Sequence, residues 1–371
     1  MSGGDHAVSG IDKLCGVCIH YVIRWKVEGK MMKQSILWAL LVLFAGAVPG
    51  ESEAAPGDEL YTKPGQIVST DDGARLNLYC EGNGSPTVVF DSGWEDWAPV
   101  WAYVQPAVAK WTRACSYDRA GAGFSEPGPM PRTSVRIADE LHSALHNLGV
   151  GGPYILVGHA FGGDNVRVFA DRYMPEVAGL VLVEADPNDV GPPEMQVHSH
   201  LAAAVARLRA CRDAIAENKP LPPLTGRPGD ARTCAQQFFR GLPEAQWSPE
   251  LNAKLLELAN TKVAMYDADT SELEQTPWDE TYLQQNVRSF GSRPVRVLTT
   301  GYHAVHTFDP NRVWTPEELK YQHDVAEAEA KWLTLSSNAR QLVTHQSSEY
   351  IPFDQPDFVV GAIREVYDQS K

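Results

Sequence analysis

Residues 154–163, which read Tyr-Ile-Leu-Val-Gly-His-Ala-Phe-Gly-Gly, have the types and spacing of a site for nucleophilic chemistry. Four apolar, strand-forming residues run into Gly158, and a helix-like segment follows from Asp164 to Met174. The glycines allow the strand and the helix to approach closely through a tight turn, which exposes the central side chain above the sheet. That residue is Ala160, whose methyl group has no lone pair to attack with and no proton to give up. The sequence therefore predicts a turn that presents a nucleophile, with the nucleophile missing.

The elements around this turn predict an α/β domain with a mostly parallel sheet. Two opening strands precede an alternation of strands and helices, and such an alternation is typical of parallel sheets covered by helices. The predicted strands are 66–69, 76–79, 87–90, 114–117, 154–157, 179–183, 294–298 and 341–344, and the predicted helices are 100–110, 134–148, 164–174, 316–333 and 354–367.

Residues 188–290 interrupt this alternation. They lack strand-like runs, and helical stretches at 201–217 and 249–258 alternate with proline-rich joints at 220–223. We interpret this region as a helical cap inserted into a core formed by residues 56–187 and 291–371.

From about residue 66 to its end, the chain resembles the α/β-hydrolase superfamily, in its capped serine-hydrolase or esterase form. The resemblance rests on four segments in the order that the family has them: Tyr-Asp-Arg-Ala-Gly-Ala-Gly at 117–123, Gly-His-Ala-Phe-Gly-Gly at 158–163, Gly-Leu-Val-Leu-Val-Glu-Ala at 179–185 and Phe-Asp-Gln-Pro-Asp at 353–357. It implies an eight-stranded, mostly parallel sheet, a helical cap after the sixth strand and a nucleophile–base–acid triad.

Glu184 is the expected triad acid, because it ends the sixth strand, where one branch of the superfamily carries this residue. The alternatives are Asp186 and Asp309, the latter being the first carboxylate after the seventh strand.

The triad base is expected in the loop after the eighth strand, where relatives resemble Gly-Ser-Gly-His-aromatic-Ile. This chain reads Gln-Ser-Ser-Glu-Tyr-Ile at 346–351, so Glu349 occupies the histidine position. A carboxylate does not shuttle a proton near neutral pH unless its pKa is strongly raised. His345 is placed on the preceding strand and interpreted as structural, and His159, His303 and His306 as packing or rim residues.

The remaining expectation for the site is an oxyanion hole beside an apolar pocket. The backbone N–H of Phe161 and one from Gly93 or Trp94 would point at a carbonyl oxygen. Trp94, Trp97 and His159 are candidate ligand contacts, whereas Trp101 is expected to pack the first helix on the sheet. The cap aromatics Phe238, Phe239 and Trp247 are candidates for closing the pocket.

Two functions fit these residues. The first is an exported carboxylic-ester hydrolase whose nucleophile and base have been replaced, which binds an ester-like small molecule and is inactive in this form. The second is a natural non-catalytic ligand-binding or adhesion protein on the same fold. A water-activating carboxylate pair formed by Glu184 and Glu349, and a metal site that adds His345, have less support. The sequence contains no phosphate loop, dinucleotide fingerprint or metal-ligand cluster, so no cofactor is expected.

The amino terminus predicts export. Lys33 precedes a short apolar run at 36–47 that ends in small residues, which indicates a signal peptide within residues 31–55 rather than a membrane span. Residues 1–30 are interpreted as an upstream extension or a misassigned start. The expected location is secreted or periplasmic, without a stable membrane span after signal removal. A net charge of −15 without a basic stripe makes nucleic acid an unlikely partner.

An oxidising compartment would favour disulfides among the four cysteines that follow the signal region, and four cysteines allow three pairings. The resemblance favours two of these bonds, because strands two and four are neighbours in the superfamily. They are Cys80–Cys115 between those strands and Cys211–Cys234 within the cap.

Overall fold

One eight-stranded sheet forms the centre of the molecule. The computed structural model describes residues 58–185, 187, 197–223, 232–238, 247–303, 305 and 307–371, and residues 50–371 form one compact unit. The predicted signal region, Asp186, Phe239 and His306 lie outside the described residues. The strands are β1 (Gln66–Ser69), β2 (Arg75–Glu81), β3 (Thr87–Asp91), β4 (Ala114–Asp118), β5 (Tyr154–His159), β6 (Val177–Val183), β7 (Val295–Thr300) and β8 (Ala339–Thr344).

The sheet order is β1-β2-β4-β3-β5-β6-β7-β8. Strand β2 pairs antiparallel with β1 and β4, and the other pairs are parallel. All residues of β3, β4 and β5 are buried, as expected for central strands covered on both faces. Parallel strands place their carboxyl ends at one edge, so the turns after β3, β5, β6 and β7 lie together there.

The helices cover both faces and build the insertion after β6. They are α1 (Gln105–Ala109), α2 (Ser134–Asn147), α3 (Phe161–Arg172), α4 (Val197–Ala216), α5 (Pro249–Thr261), α6 (Val263–Asn286), α7 (Pro316–Glu329), α8 (Ile351–Asp354) and α9 (Pro356–Gln369). One apolar cluster includes side chains of α9 and of the cap, and a second includes side chains of α2 and α3 on the other side of the sheet.

Two helix predictions need correction, and one helix was not predicted. The helix predicted at 100–110 is a 3-10 turn, Ala98–Trp101, followed by α1, because Pro106 fits only into the first turn of a helix. The helix predicted at 354–367 is divided into α8 and α9 before Pro356 for the same reason. The 24-residue helix α6 was not predicted, and it carries Pro277 in its interior.

Both expected disulfides are present. Cys80 and Cys115 are direct partners across β2 and β4, with Cα atoms 4.1 Å apart, and Cys211 of α4 bonds Cys234 with Cα atoms 5.9 Å apart. No helix in the described part of the chain has the length and apolar character needed to cross a membrane.

Candidate active site

Ala160 lies at a sharp bend between β5 and α3. Its backbone has φ 46° and ψ −120°, a conformation that an L-residue adopts only when its surroundings impose it. Two hydrogen bonds fix the bend, from the Ala160 N–H to the Val183 carbonyl at 3.0 Å and from the Gly163 N–H to the Ala160 carbonyl at 2.8 Å. The chain therefore has the backbone of a nucleophile turn at the residue where the sequence places a methyl group.

Three glycines make this bend sterically accessible. A Cβ on Gly158 would lie 2.4 Å from the Gly162 carbonyl oxygen, and a Cβ on Gly162 would lie 2.4 Å from that of Asp91. A Cβ on Gly163 would lie 2.6 Å from the Ala185 Cβ. The strand and the helix are thus packed backbone against backbone, which only glycine permits.

The loop after β3 lies directly beside Ala160. A Cβ on Gly93 would be 3.4 Å from the Ala160 Cβ and 3.2 Å from both Asp96 Oδ2 and His159 Nδ1. Phe161 is the first residue of α3, so its N–H has no acceptor within the helix. The two backbone segments predicted to form an oxyanion hole are therefore adjacent.

Arg119 ties this loop to the cap. Its guanidinium contacts the Asp91 carboxylate at 3.1 Å and pairs with Glu272 of α6 through two bonds of 2.9 and 3.1 Å. It also donates to the carbonyls of Ser92 and Gly93 at 2.7 and 2.8 Å. All three charged side chains are buried. A bidentate, buried guanidinium of this kind fixes the loop against α6, as does the bond from Trp94 Nε1 to the Asp269 carbonyl at 3.2 Å.

Glu349 reaches the same bend from the loop after β8. Its carbonyl accepts a bond from His159 Nε2 at 3.1 Å, and its N–H donates to the Val305 carbonyl at 3.0 Å. A carbonyl can only accept, so the hydrogen of His159 is on Nε2. Burial lowers the pKa of His159, so this ring is neutral at pH 7 and its Nδ1 is the basic nitrogen. The structure thus brings residue 349 to the bend at residues 158–163 between β5 and α3, which we call the elbow.

The elbow is surrounded by more carboxylates than the sequence analysis recognised. Burial and the neighbouring Glu95 and Glu349 raise the pKa of Asp96 well above its ordinary value. Burial, Glu272 and Glu95 do the same for Asp269. Glu95 and Asp96 lie in the loop after β3, Asp269 and Glu272 lie in α6, and Glu349 lies in the loop after β8. The sequence alone does not indicate that these three segments meet.

Glu184 makes a contact that the sequence analysis did not predict. It ends β6 with φ 47°, accepts a hydrogen bond from the Thr300 N–H, and lies 2.6 Å from His303 Nδ1 through its Oε2. Both side chains are buried. His303 is therefore the partner of the acid position rather than a packing or rim residue, and its place in the loop after β7 was the available signal.

The other predicted residues lie farther from this arrangement. His345 follows β8 instead of lying on it, is exposed, and has its ring beside Gly301. Asp309 is exposed and accepts a bond from the Asn311 N–H at 2.8 Å, which is a turn contact.

The aromatic candidates differ in exposure. Trp94 is half-buried, whereas Trp97 is 2% exposed, with its ring centre 5.8 Å from that of Phe238. Trp101 is fully buried against Phe90, as expected for a packing residue. Trp247 is buried, with its ring centre 5.5 Å from that of Phe353 in α8.

The sheet order, the bend after β5 and the helical insertion after β6 are those of the α/β-hydrolase fold. Residues 86–207 match the family model described as alpha/beta hydrolase fold. Over 190 residues the chain is 30% identical to an uncharacterized protein of Schizosaccharomyces pombe, and the match covers 43% of this chain and 36% of that protein. It thus spans about a third of the length of that curated relative.

Two solved structures share the fold over most of their length. One is a thermophilic esterase from Thermogutta terrifontis, with a TM-score of 0.55, 21% identity, and coverage of 82% of this chain and 98% of that one. The other is the epoxide hydrolase CorEH, with a TM-score of 0.60, 16% identity, and coverage of 82% and 99%. At these identities the likeness establishes the fold alone.

Proposed function

We propose that this chain binds an ester-like acyl compound at the elbow and does not cleave it. The observation that carries the proposal is the Ala160 methyl at φ 46°, at the bend that immediately precedes α3 and beside the Gly93 loop. An intact triad would attack from this position. Because triad members act as a unit, their loss typically lowers turnover by about a millionfold, and an oxyanion hole with binding retains only ~10³-fold over water.

The two other triad positions support the same conclusion. The backbone carbonyl of Glu349 accepts from His159 at the elbow, and a carboxylate side chain at this position would supply negative charge instead of a base matched to neutral pH. Glu184 has its carboxylate against Thr300 and His303, on the β7 side of β6. Residue 160 lies on the β5 side.

We infer that the intact parent is an exported carboxylic-ester hydrolase, secreted or periplasmic. The similarity of the fold to that of the Thermogutta terrifontis esterase supports the choice of substrate class. The two disulfides suit an oxidising compartment. In the parent, a serine at 160 would form an acyl-enzyme with help from a histidine at 349, and water would release the acyl group.

A natural non-catalytic ligand-binding or adhesion protein is the second candidate. The Glu184–His303 contact favours it, because a carboxylate that already has a buried histidine partner does not need a histidine at 349. In that case two substitutions would not restore a working triad.

The test is the double variant Ala160→Ser with Glu349→His, assayed with p-nitrophenyl butyrate beside the wild type and the two single variants. We expect no turnover by the wild type, and burst-type turnover at least ~10³-fold higher in the double variant. A well-folded double variant without activity would favour the non-catalytic protein. Sustained turnover by the wild type would refute the proposal.

Binding is measured separately by titrating the wild type with p-nitrophenyl butyrate and following tryptophan fluorescence. Trp94 lies beside the elbow, so Trp94→Phe should abolish a saturable quench, whereas Trp278→Phe on the exposed surface of α6 should retain it. Absence of saturable binding would refute the ligand-binding part.

A further inference from the structure

Three ionisable side chains from separate elements lie close together near the carboxyl ends of β6 and β7. Glu184 comes from the end of β6, His303 from the loop after β7, and Glu329 from the last residue of α7. They are 8%, 6% and 1% exposed. One ligand atom of each lies within 4.8 Å of those of the other two. Two carboxylate oxygens and one imidazole nitrogen therefore face a common point inside the protein.

Hydrogen bonds hold the Glu184 side chain and the backbone of His303. The Thr300 N–H donates to Glu184 Oε1. The amide of Gln322 holds the backbone of His303 at both sides, because its Oε1 accepts from the His303 N–H at 2.5 Å and its Nε2 donates to the His303 carbonyl at 3.1 Å. Such outer contacts orient metal ligands in known sites.

The charge of the trio favours a cation. Two ionised carboxylates with a neutral imidazole would carry a charge of −2, and coordination of a metal ion is one of the ways in which proteins accommodate buried charge. A divalent cation would balance both carboxylates while the imidazole remains neutral, which is the form that binds metals.

We propose that Glu184, His303 and Glu329 form a binding site for a divalent transition metal, with zinc as the best-fitting ion. Imidazole and carboxylate ligands suit zinc, and three protein ligands leave one position of a tetrahedron for water. Magnesium and calcium prefer more oxygen ligands than the trio offers. Bonds of about 2.0–2.1 Å would place two ligand atoms about 3.3 Å apart, so the 2.6 Å contact between His303 and Glu184 opens by less than an ångström. The metal would replace the hydrogen bond between these two groups.

The site is independent of ester binding, but metal binding and triad chemistry exclude each other, because both need Glu184. The experiment therefore uses metal binding as its readout. The purified full-length chain, stripped with a chelator and dialysed, is titrated with Zn²⁺, and the Co²⁺ form is examined by visible absorption. We expect one Zn²⁺ per chain and the absorption bands of four-coordinate Co²⁺. X-ray absorption of the zinc form should show nitrogen and oxygen ligands with an imidazole signature.

The variants His303→Gln and Glu329→Gln each remove one ligand and should weaken zinc binding by more than the ~10–100-fold that loss of an outer contact produces. Gln322→Ala removes only the contact that orients His303, so its loss should fall within that range. His323→Gln is the matched control, because this exposed histidine of the same helix lies 3.7 Å from Glu327 and 3.8 Å from Asp324, and its loss should change nothing.

Circular dichroism of each variant establishes that the fold is retained, and the Co²⁺ and X-ray spectra of the wild type do not depend on any variant. The proposal is overturned if the dialysed wild type fails to bind one zinc per chain. It is also overturned if the spectra lack an imidazole, or if His323→Gln abolishes binding while His303→Gln does not.

Discussion

The turns after β5 and β6 lie side by side and differ in the side chain that each of them carries. His159 and Val183 are register partners at the ends of β5 and β6. The residues that follow them, Ala160 and Glu184, have positive φ angles of 46° and 47°. At Ala160 a sharp backbone bend carries only a methyl group. At Glu184 the turn carries a carboxylate, which is paired with His303.

This difference shows which contacts determine the conformation of each turn. The bend at Ala160 is specified by the glycines around it and by backbone contacts with Asp91 and Val183, so it persists without a functional side chain. The turn at Glu184 depends in addition on what the carboxylate itself binds. Packing of the glycines therefore fixes the bend at Ala160, whereas the turn at Glu184 also depends on the partners of its carboxylate.

The largest expected effect comes from filling the space at the elbow. In Gly162→Ala the new Cβ would meet the Asp91 carbonyl oxygen at 2.4 Å and its carbon at 2.7 Å, both of which are backbone atoms of a central strand. We expect a loss of more than about 3 kcal/mol in the free energy of unfolding, measured by urea denaturation.

Gly361→Ala in α9 is its matched control, because a Cβ there meets nothing within 4 Å and should stabilise the helix by about 0.5–1 kcal/mol. Equal stability of the two variants would show that packing does not specify the bend.

The next largest effect is expected at the turn after β6, where Glu184 lies. Glu184→Ala removes the partner of buried His303 and the acceptor of the Thr300 N–H, so we expect a loss of about 2–3 kcal/mol in unfolding free energy. Glu184→Gln keeps an acceptor for Thr300 and should lose roughly half as much. If both variants unfold like the wild type, the carboxylate does not stabilise its turn and the contrast with Ala160 fails.

Much of the fold could be predicted from the sequence, because central parallel strands are continuous apolar runs. β5 and β6 are predicted at 154–157 and 179–183, and each is two residues longer in the structure. Helix α6 was missed because its apolar and polar residues do not follow one face and Pro277 interrupts the pattern. Its position is set by contacts such as the Arg119–Glu272 pair, which form only in the folded chain.

The candidate site, like the fold, could be predicted from the sequence only in part. Residues 160 and 349 could be placed from local motifs, and the structure brings both to the elbow. The partner of Glu184 could not, because His303 lies far along the chain and only the alignment of β6 with β7 makes them neighbours. Local spacing predicts backbone turns, whereas pairing between turns depends on strand register.

A smaller effect is expected from the ionisation of Asp91, the last residue of β3. Burial raises the pKa of Asp91 from 3.8 to about 6, although Arg119 and Tyr117 oppose this. The folded state thus holds this proton more tightly than the unfolded state, and the resulting stability is fully present below about pH 4 and lost as pH rises through about 6.

Because other carboxylates titrate in the same range, the measurement is the difference in unfolding free energy between the wild type and Asp91→Asn at several pH values. This difference should change by about 2 kcal/mol between pH 4 and 7, in the sense that the wild type loses more. A constant difference would show that Asp91 titrates with an ordinary pKa and that electrostatics contribute little on the elbow side.

The smallest effect isolates the backbone of Ala160 itself. A non-glycine residue in such a conformation carries strain on the order of 1–3 kcal/mol, and glycine would relieve it while losing about 0.5–1 kcal/mol through its more flexible unfolded chain. Ala160→Gly should therefore stabilise the protein by roughly 1 kcal/mol in urea denaturation. Ala160→Ser keeps the Cβ, so it should change stability by less than about 0.5 kcal/mol. If Ala160→Ser instead destabilises strongly, the bend has adapted to the methyl group, and a nucleophile could not be restored there without rebuilding the turn.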